Sequence, residues 1–230
     1  MIRVAVLASG GGSNLQALIA WAKRQGEWAV ELVISDRPTA GALIRAEQAG
    51  IASEIVEATG LTLRKVLDDR GISAILLAGY LRLVPADVVR AFRHRILNIH
   101  PALLPSFAGA GMYGARVHRA VLESGLEITG ATIHEVDEVY DRGRILAQWP
   151  IRVSPDDTPE ALAARVLAIE HRLYPRVADA VIQRLPGGAA HGSQFVFRCP
   201  DDAASLDPLD LPAIERQMDL ALSTSVKPDN

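Results

Sequence analysis

The sequence predicts an α/β fold: a doubly wound, mostly parallel twisted sheet, Rossmann-like, with an antiparallel C-terminal strand pair and a long C-terminal helix. Two observations carry this. Over the first half, short apolar, β-branched runs alternate with stretches of helical periodicity, the pattern of right-handed crossovers between parallel strands. Past Gly130 the pattern changes to two alternating runs about Asp141-Arg142-Gly143, followed by one long amphipathic stretch.

The elements follow in order. Ile2–Ala8 is a buried-strand run that stops at Ser9-Gly10-Gly11-Gly12. From Ser13, Leu15, Leu18, Ile19 and Ala22 recur at helical spacing, and Gly26 stands where a helix-ending glycine belongs. Ala29–Ile34 is a second strand, Ala40–Gln48 a helix stopped by Gly50, and Ile51–Val56 a short strand. Leu63, Val66 and Leu67 mark a helix face that ends at Gly71. Ile75–Ala78 is a buried strand, Pro85 opens a helix to Phe92, and Arg95–Asn98 is the next strand. Gly130–Val136 and Arg144–Val153 form the antiparallel pair. Thr158-Pro159-Glu160 then opens a helix with a stripe of Leu162, Val166, Ile169 and Leu173, running towards Gln183. Pro186-Gly187-Gly188 breaks it, so we expect a domain over 1–185 and a tail over 186–230. The tail sets three cations against seven carboxylates and holds one short helix, Pro212–Ala221.

Composition narrows the function. The chain has 230 residues, 49% of them hydrophobic and 22% charged, enough for a sizeable core. A net charge of -3 argues against nucleic acid as the main ligand. Cys199 is the single cysteine, which excludes an intrachain disulfide and a cysteine-rich metal site. No apolar run reaches the ~18 residues a membrane span needs. The N-terminus reads as a strand rather than a signal peptide, so the expectation is a cytoplasmic protein without a membrane or nucleic-acid partner. The oligomeric state is left open, a homodimer included.

Ligands of doubly wound sheets bind at the carboxyl ends of the strands, here the loops Gly10–Asn14, Gly79–Val84 and Asn98–Phe107. The Ser9–Asn14 loop leads from strand to helix. Glycines allow close backbone approach, and the first helical N–H groups are unpaired, so it suits a phosphate; a plain tight turn is the alternative. It lacks the lysine of a P-loop, and Leu15 stands where a dinucleotide fingerprint needs its third glycine, although Asp36 could imitate the ribose-binding acid. Asn98 and His100 lie two apart at a strand end and project to one face. An amide donor beside an imidazole suits acyl transfer. Asp141 is a companion carboxylate or a turn residue. His134 reads as a core histidine or a catalyst, while His118, His171 and His191 lack supporting context. No metal-binding spacing occurs.

Several stretches occur together in one order: VAVLASGGGSNLQALI, ISDRPTAGALIRAEQAGI, LLAGYLRLV, ILNIHPALLPSFAGAGMYGARVHRAVLESG, GATIHEVDEVYDRGRILAQ and RVLAIEHRLYP. Over roughly residues 2–184 the sequence resembles the phosphoribosylglycinamide formyltransferase family. The resemblance implies transfer of a formyl group from 10-formyltetrahydrofolate to the amine of glycinamide ribonucleotide (GAR) in purine synthesis. It implies that Gly12, Ser13 and Asn14 hold the GAR phosphate and Glu170 the ribose. Arg82, Leu83 and Val84 would meet the folate pterin, beside Val136 and Tyr140. Asn98, His100 and Asp141 would be catalytic, with Asp141 keeping His100 charged, and Thr132 and His134 would line the cleft. Leu104–Pro105 matches a peptide bond that is cis in the family.

Two residues depart from the family pattern. Arg144 replaces a usual proline and Glu135 a usual aromatic, and a pairing of Arg144 with Asp141 would draw that carboxylate from His100. Alternatives are a 10-formyltetrahydrofolate deformylase, which normally carries a further N-terminal domain for which a strand starting at residue 2 leaves no room, and a non-catalytic dinucleotide-binding module. A methionyl-tRNA formyltransferase would want a basic C-terminal domain, where this tail is acidic.

Overall fold

A computed structural model of the chain describes residues 1–57, 60–188, 195, 197–207 and 209–223; His191 lies outside the described residues. One seven-stranded sheet runs through it in the order β3-β2-β1-β4-β5-β6-β7. The strands are β1 (Ile2–Leu7), β2 (Trp28–Ser35), β3 (Ala52–Ile55), β4 (Ala74–Leu77), β5 (Ile96–His100), β6 (Ile128–Glu135) and β7 (Ile145–Arg152). Strands β1 to β5 pair in parallel; β5–β6 and β6–β7 pair antiparallel. The connections place α1 (Ser13–Gln25), α2 (Gly41–Ala49), α3 (Gly60–Asp69), α4 (Ala86–Ala91), α5 (Ala115–Glu123) and α6 (Pro159–Ile182). A last helix, α7 (Leu211–Ser223), follows a short 3-10 turn.

Because successive strand residues face opposite ways, the inner parallel strands β1, β2, β4 and β5 each feed two cores. Val4 and Val6 of β1, Val33 of β2 and Leu76 of β4 join residues of α1, α2, α5 and α6 on one face. Ala5, Leu7, Leu32 and Ile75 join α3 and α4 on the other. Buried apolar strands of this kind need both faces covered. The helix limits follow local chemistry. Gly26 and Gly50 take left-handed φ values of 75° and 70° at the ends of α1 and α2. Thr158 caps α6, its Oγ1 accepting from the Ala161 N–H at 3.2 Å, with Pro159 in the first turn.

Three features differ from the sequence reading. β5 continues two residues further, carrying His100 on the strand itself. Helix α5 is absent from that reading: its apolar face is short, with Val117 and Val121 buried one turn apart and Leu122 packed beside them. The segment after Pro186 contributes to packing: Phe195, Ala203, Ile214 and Met218 belong to the same core as α1 and α6. Among the described residues no helix is long and apolar enough to cross a membrane.

Candidate active site

The strand order reverses between β1 and β4, and a cleft of about 470 Å³ opens there over the carboxyl ends of β1, β4 and β5. All three loops singled out from the sequence contribute to its walls.

The first wall is the turn into α1. Gly12 sits at φ 76°, and a Cβ there would lie 2.8 Å from the Cα of Ala42, so both the turn and the close approach of α2 require glycine. The first intrahelical bond runs from the Gln16 N–H to the Gly12 carbonyl at 3.0 Å. The N–H groups of Ser13, Asn14 and Leu15 therefore lie in the donor-rich first turn. Gly10 and Asn14 line the cleft, whereas Gly12 and Ser13 are not among its lining residues. Asn14 Nδ2 donates to Glu170 Oε2 at 2.7 Å, while Asn14 Oδ1 is buried without a partner. Burial of Glu170 on α6 pushes its carboxyl up to about 7, against the opposing bond from Asn14.

The second wall is Gly79–Val84 with the β6–β7 hairpin, including Val136, Val139 and Tyr140. Arg82 Nε pairs with Asp36 at 3.1 Å. That contact engages the carboxylate which a dinucleotide would need for its ribose. Burial, with Asp36 adding to it, pushes the Tyr80 hydroxyl up to about 12.

Between the walls lie the polar groups at the ends of β5 and β6. Antiparallel register sets Asn98 opposite His134 and His100 opposite Thr132. His134 Nδ1 lies 2.7 Å from the Glu135 carbonyl, which only accepts, so Nδ1 carries the proton. Its Nε2 then accepts from Asn98 Nδ2 at 3.0 Å, which orients that amide and leaves its second N–H free. His100 Nε2 donates to the Phe107 carbonyl at 3.0 Å, and its Nδ1 faces Asp141 Oδ2 at 3.7 Å. Asp141 adopts φ 55°, a left-handed conformation that aspartate tolerates. It accepts from the Gly109 N–H at 2.9 Å and lies 3.5 Å from His134 Nε2. Burial pushes the Asp141 carboxyl up, but His134, the Gly109 amide and His100 together hold it below its ordinary value.

Three expectations are corrected here. His100 was expected to be held charged by Asp141; burial outweighs that attraction, with His134 adding to it, and lowers the His100 pKa. Thr132 does not line the cleft. Its fully buried hydroxyl donates to the Ala102 carbonyl and accepts from the Leu104 N–H and Gln148 Nε2, bracing the loop after β5. Arg144 does not pair with Asp141. It binds Glu135 Oε1 through Nη2 at 2.7 Å, and His94 Nδ1 holds the other oxygen at 2.8 Å. The two departures from the family pattern thus satisfy each other. The Leu104–Pro105 peptide is cis. Cys199 stands outside the cleft lining, its thiol pushed up to about 11 by burial and by Asp201 and Asp202.

Sequence reasoning passed over two groups that the fold brings in. His118 of α5 lines the cleft, as do Ala163 and Leu167, two turns and one turn before Glu170 on the same face of α6. The 4-and-3 spacing of the α6 residues was the available signal; His118 offered none, because its helix was not visible.

Comparison with known proteins gives the family. A family profile described as formyl transferase matches residues 2–178. A chloroplastic phosphoribosylglycinamide formyltransferase of Arabidopsis thaliana is 45% identical over 79% of this chain, which spans 65% of that relative's length. The phosphoribosylglycinamide formyltransferase of Bacillus subtilis is 33% identical over 79% of this chain and 95% of its own. The crystal structure of glycinamide ribonucleotide transformylase 1 from Symbiobacterium toebii superposes with a TM-score of 0.73 at 39% identity, covering 80% of this chain and 88% of the other. By this profile and these relatives the chain belongs to the formyl transferase family, in its phosphoribosylglycinamide formyltransferase branch.

Proposed function

We propose that the chain transfers the formyl group of 10-formyltetrahydrofolate to the primary amine of GAR. The single observation that carries this is the convergence of an anion-ready helix start, Glu170, and the Asn98–His100–Asp141 group in one cleft. The GAR phosphate takes the backbone N–H groups of Gly12, Ser13 and Asn14, where the helix dipole favours an anion. Its ribose hydroxyls reach Glu170 and the unpartnered Asn14 Oδ1. The pterin lies against the backbone of Arg82, Leu83 and Val84 and the apolar side chains of Val136 and Tyr140. A cytoplasmic location is part of the same proposal; the plant relatives named chloroplastic make a plastid the other candidate. Nothing in this reading calls for nucleic acid or a membrane surface.

The chemistry follows from the hydrogen bonds. The amine nitrogen attacks the formyl carbon, a C–N bond forms, and the carbonyl electrons move to oxygen. The free N–H of Asn98 meets that oxyanion; a donor so placed contributes about 10²–10³ in rate. The lowered pKa leaves His100 neutral, with its Nε2 proton committed to Phe107 and its Nδ1 lone pair beside Asp141. Nδ1 therefore takes the proton of the attacking amine, and the Asp141 carboxylate stabilises the imidazolium that results. The intermediate collapses as the bond to the folate nitrogen breaks and that nitrogen takes up the proton. Holding both substrates in one cleft removes much of the entropic barrier.

The test is incubation with 10-formyltetrahydrofolate in the presence and absence of GAR. Tetrahydrofolate release that requires GAR is the expected result. Equal release without GAR identifies a deformylase, and nicotinamide dinucleotide binding without release identifies a binding module.

A further inference from the structure

α5 packs on the side of the sheet that carries α1 and α6: its Val117 and Val121 join their core, and it contacts α6 directly. Tyr80, Val84 and Val136 belong to the opposite core. His118 therefore enters the cleft from the wall that holds Asn14 and Glu170, not from the pterin wall. It is only 4% exposed, and its Nδ1 is buried without a hydrogen-bond partner. Buried polar atoms are nearly always paired, so a ring that lines the cleft with one nitrogen left orphaned marks a bond completed when a ligand enters and the ring adjusts to it. Burial, and the nearby His100, lower the His118 pKa, so the ring is neutral and can accept through Nδ1 or, as the other tautomer, donate through it.

On the transferase reading, on which this inference rests, the nucleotide runs from the α1 turn past Glu170 to the Asn98–His100 group. The portion that passes between Glu170 and His100 is the amide joining the ribose to the glycyl amine, with one N–H and one carbonyl. We infer that His118 Nδ1 hydrogen-bonds this amide and thereby sets affinity and selectivity for the amine substrate. His118 is a substrate-binding residue in this scheme and takes no part in proton transfer.

His118→Leu and His118→Asn test it, because the two side chains are nearly isosteric and only asparagine keeps a hydrogen-bonding atom near the Nδ1 position. The Leu variant is expected to bind GAR about threefold to tenfold more weakly, the span of one neutral hydrogen bond. That loss appears both in calorimetric titration with GAR alone and in KM for GAR. KM for 10-formyltetrahydrofolate and the thermal midpoint stay as in the wild type, and the Asn variant recovers most of the affinity. In the wild type the Nδ1 nitrogen resonance of His118 moves on adding GAR alone, a readout that needs no variant to fold. Equal GAR affinity in the Leu and Asn variants, or an unmoved resonance at saturating GAR, overturns the assignment while leaving a GAR-dependent wild-type activity standing. Absence of GAR binding to the wild type overturns both.

Discussion

At the scale of single residues, the site is decided by which protons are already committed. His100 illustrates the competition. Desolvation disfavours the imidazolium, Asp141 at 3.7 Å favours it, and desolvation wins. If His100 is the general base of the proposed mechanism, the kcat/KM profile has an acid limb with its midpoint below the ordinary histidine value of about 6.5. Asp141→Asn removes the one charge that raises His100, so the limb moves to still lower pH while turnover falls by about 10² or more. A limb that moves upward would show that Asp141 does not act on His100. Glu170 makes a separate prediction about stability. Its folded pKa of about 7 exceeds the unfolded value near 4.5, so the native state binds the extra proton. Stability from this group is complete below about pH 4.5, falls as pH rises, and is lost above about 7, an effect of about 3 kcal/mol. Glu170→Gln flattens that slope in denaturant titrations between pH 4.5 and 7. An unchanged slope would mean that the carboxyl ionises normally.

At the scale of elements, the β6–β7 hairpin places Asp141, and two kinds of contact hold its base. One is the polar group His94–Glu135–Arg144, in which the His94 and Arg144 side chains are largely exposed. The other is backbone: the Glu135 N–H donates to the Arg144 carbonyl at 2.9 Å, and a Cβ on Gly143 would lie 1.9 Å from the Glu135 oxygen. Exposed ion pairs contribute about 0–1 kcal/mol, whereas a Cβ at that distance must displace the strand. Arg144→Ala should therefore cost at most about 1 kcal/mol and leave turnover within severalfold. Gly143→Ala should lower both the thermal midpoint and kcat, because the same Glu135 carbonyl holds the His134 proton that orients Asn98. The reverse ranking would assign the hairpin to its charges. The strands, their alternation and the glycine helix ends were legible in the sequence because each is set by neighbours in the chain. What was not legible depends on distant partners. Arg144 meets Glu135 through strand register, Thr132 meets the loop after β5 through the sheet, and the proton of His100 is fixed by a carbonyl at Phe107, a residue with φ 55°. Helix α5 escaped because its short apolar face, Val117, Val121 and Leu122, makes sense only once α6 supplies a surface for it.

At the scale of the whole molecule, the segment after residue 185 acts on stability rather than on the reaction. Its acidic side chains meet cations of α6: Arg172 pairs with Glu215 at 2.9 Å, and Arg176 with Asp219 at 2.6 Å and Glu215 at 3.5 Å. Arg176 also lies over the Trp21 ring of α1 at 4.9 Å, so the acidic helix neutralises a cation that joins two helices of the main core. The larger contribution is apolar. Phe195, Ile214 and Met218 are buried in that core, each worth about 1.5–3 kcal/mol before the entropy of ordering the segment is subtracted. Among the described residues none beyond Glu170 lines the cleft. Truncation after residue 185 should therefore lower the thermal midpoint by about 5–10 °C, at about 2–4 °C per kcal/mol for a chain of this size. GAR-dependent turnover, measured well below the new midpoint, should stay within about twofold. An unchanged midpoint would show that the packed helix adds no net stability. A loss of turnover in a truncated protein that remains folded would show that α7 acts on the cleft through α6, which bears Glu170 as well as Arg172 and Arg176.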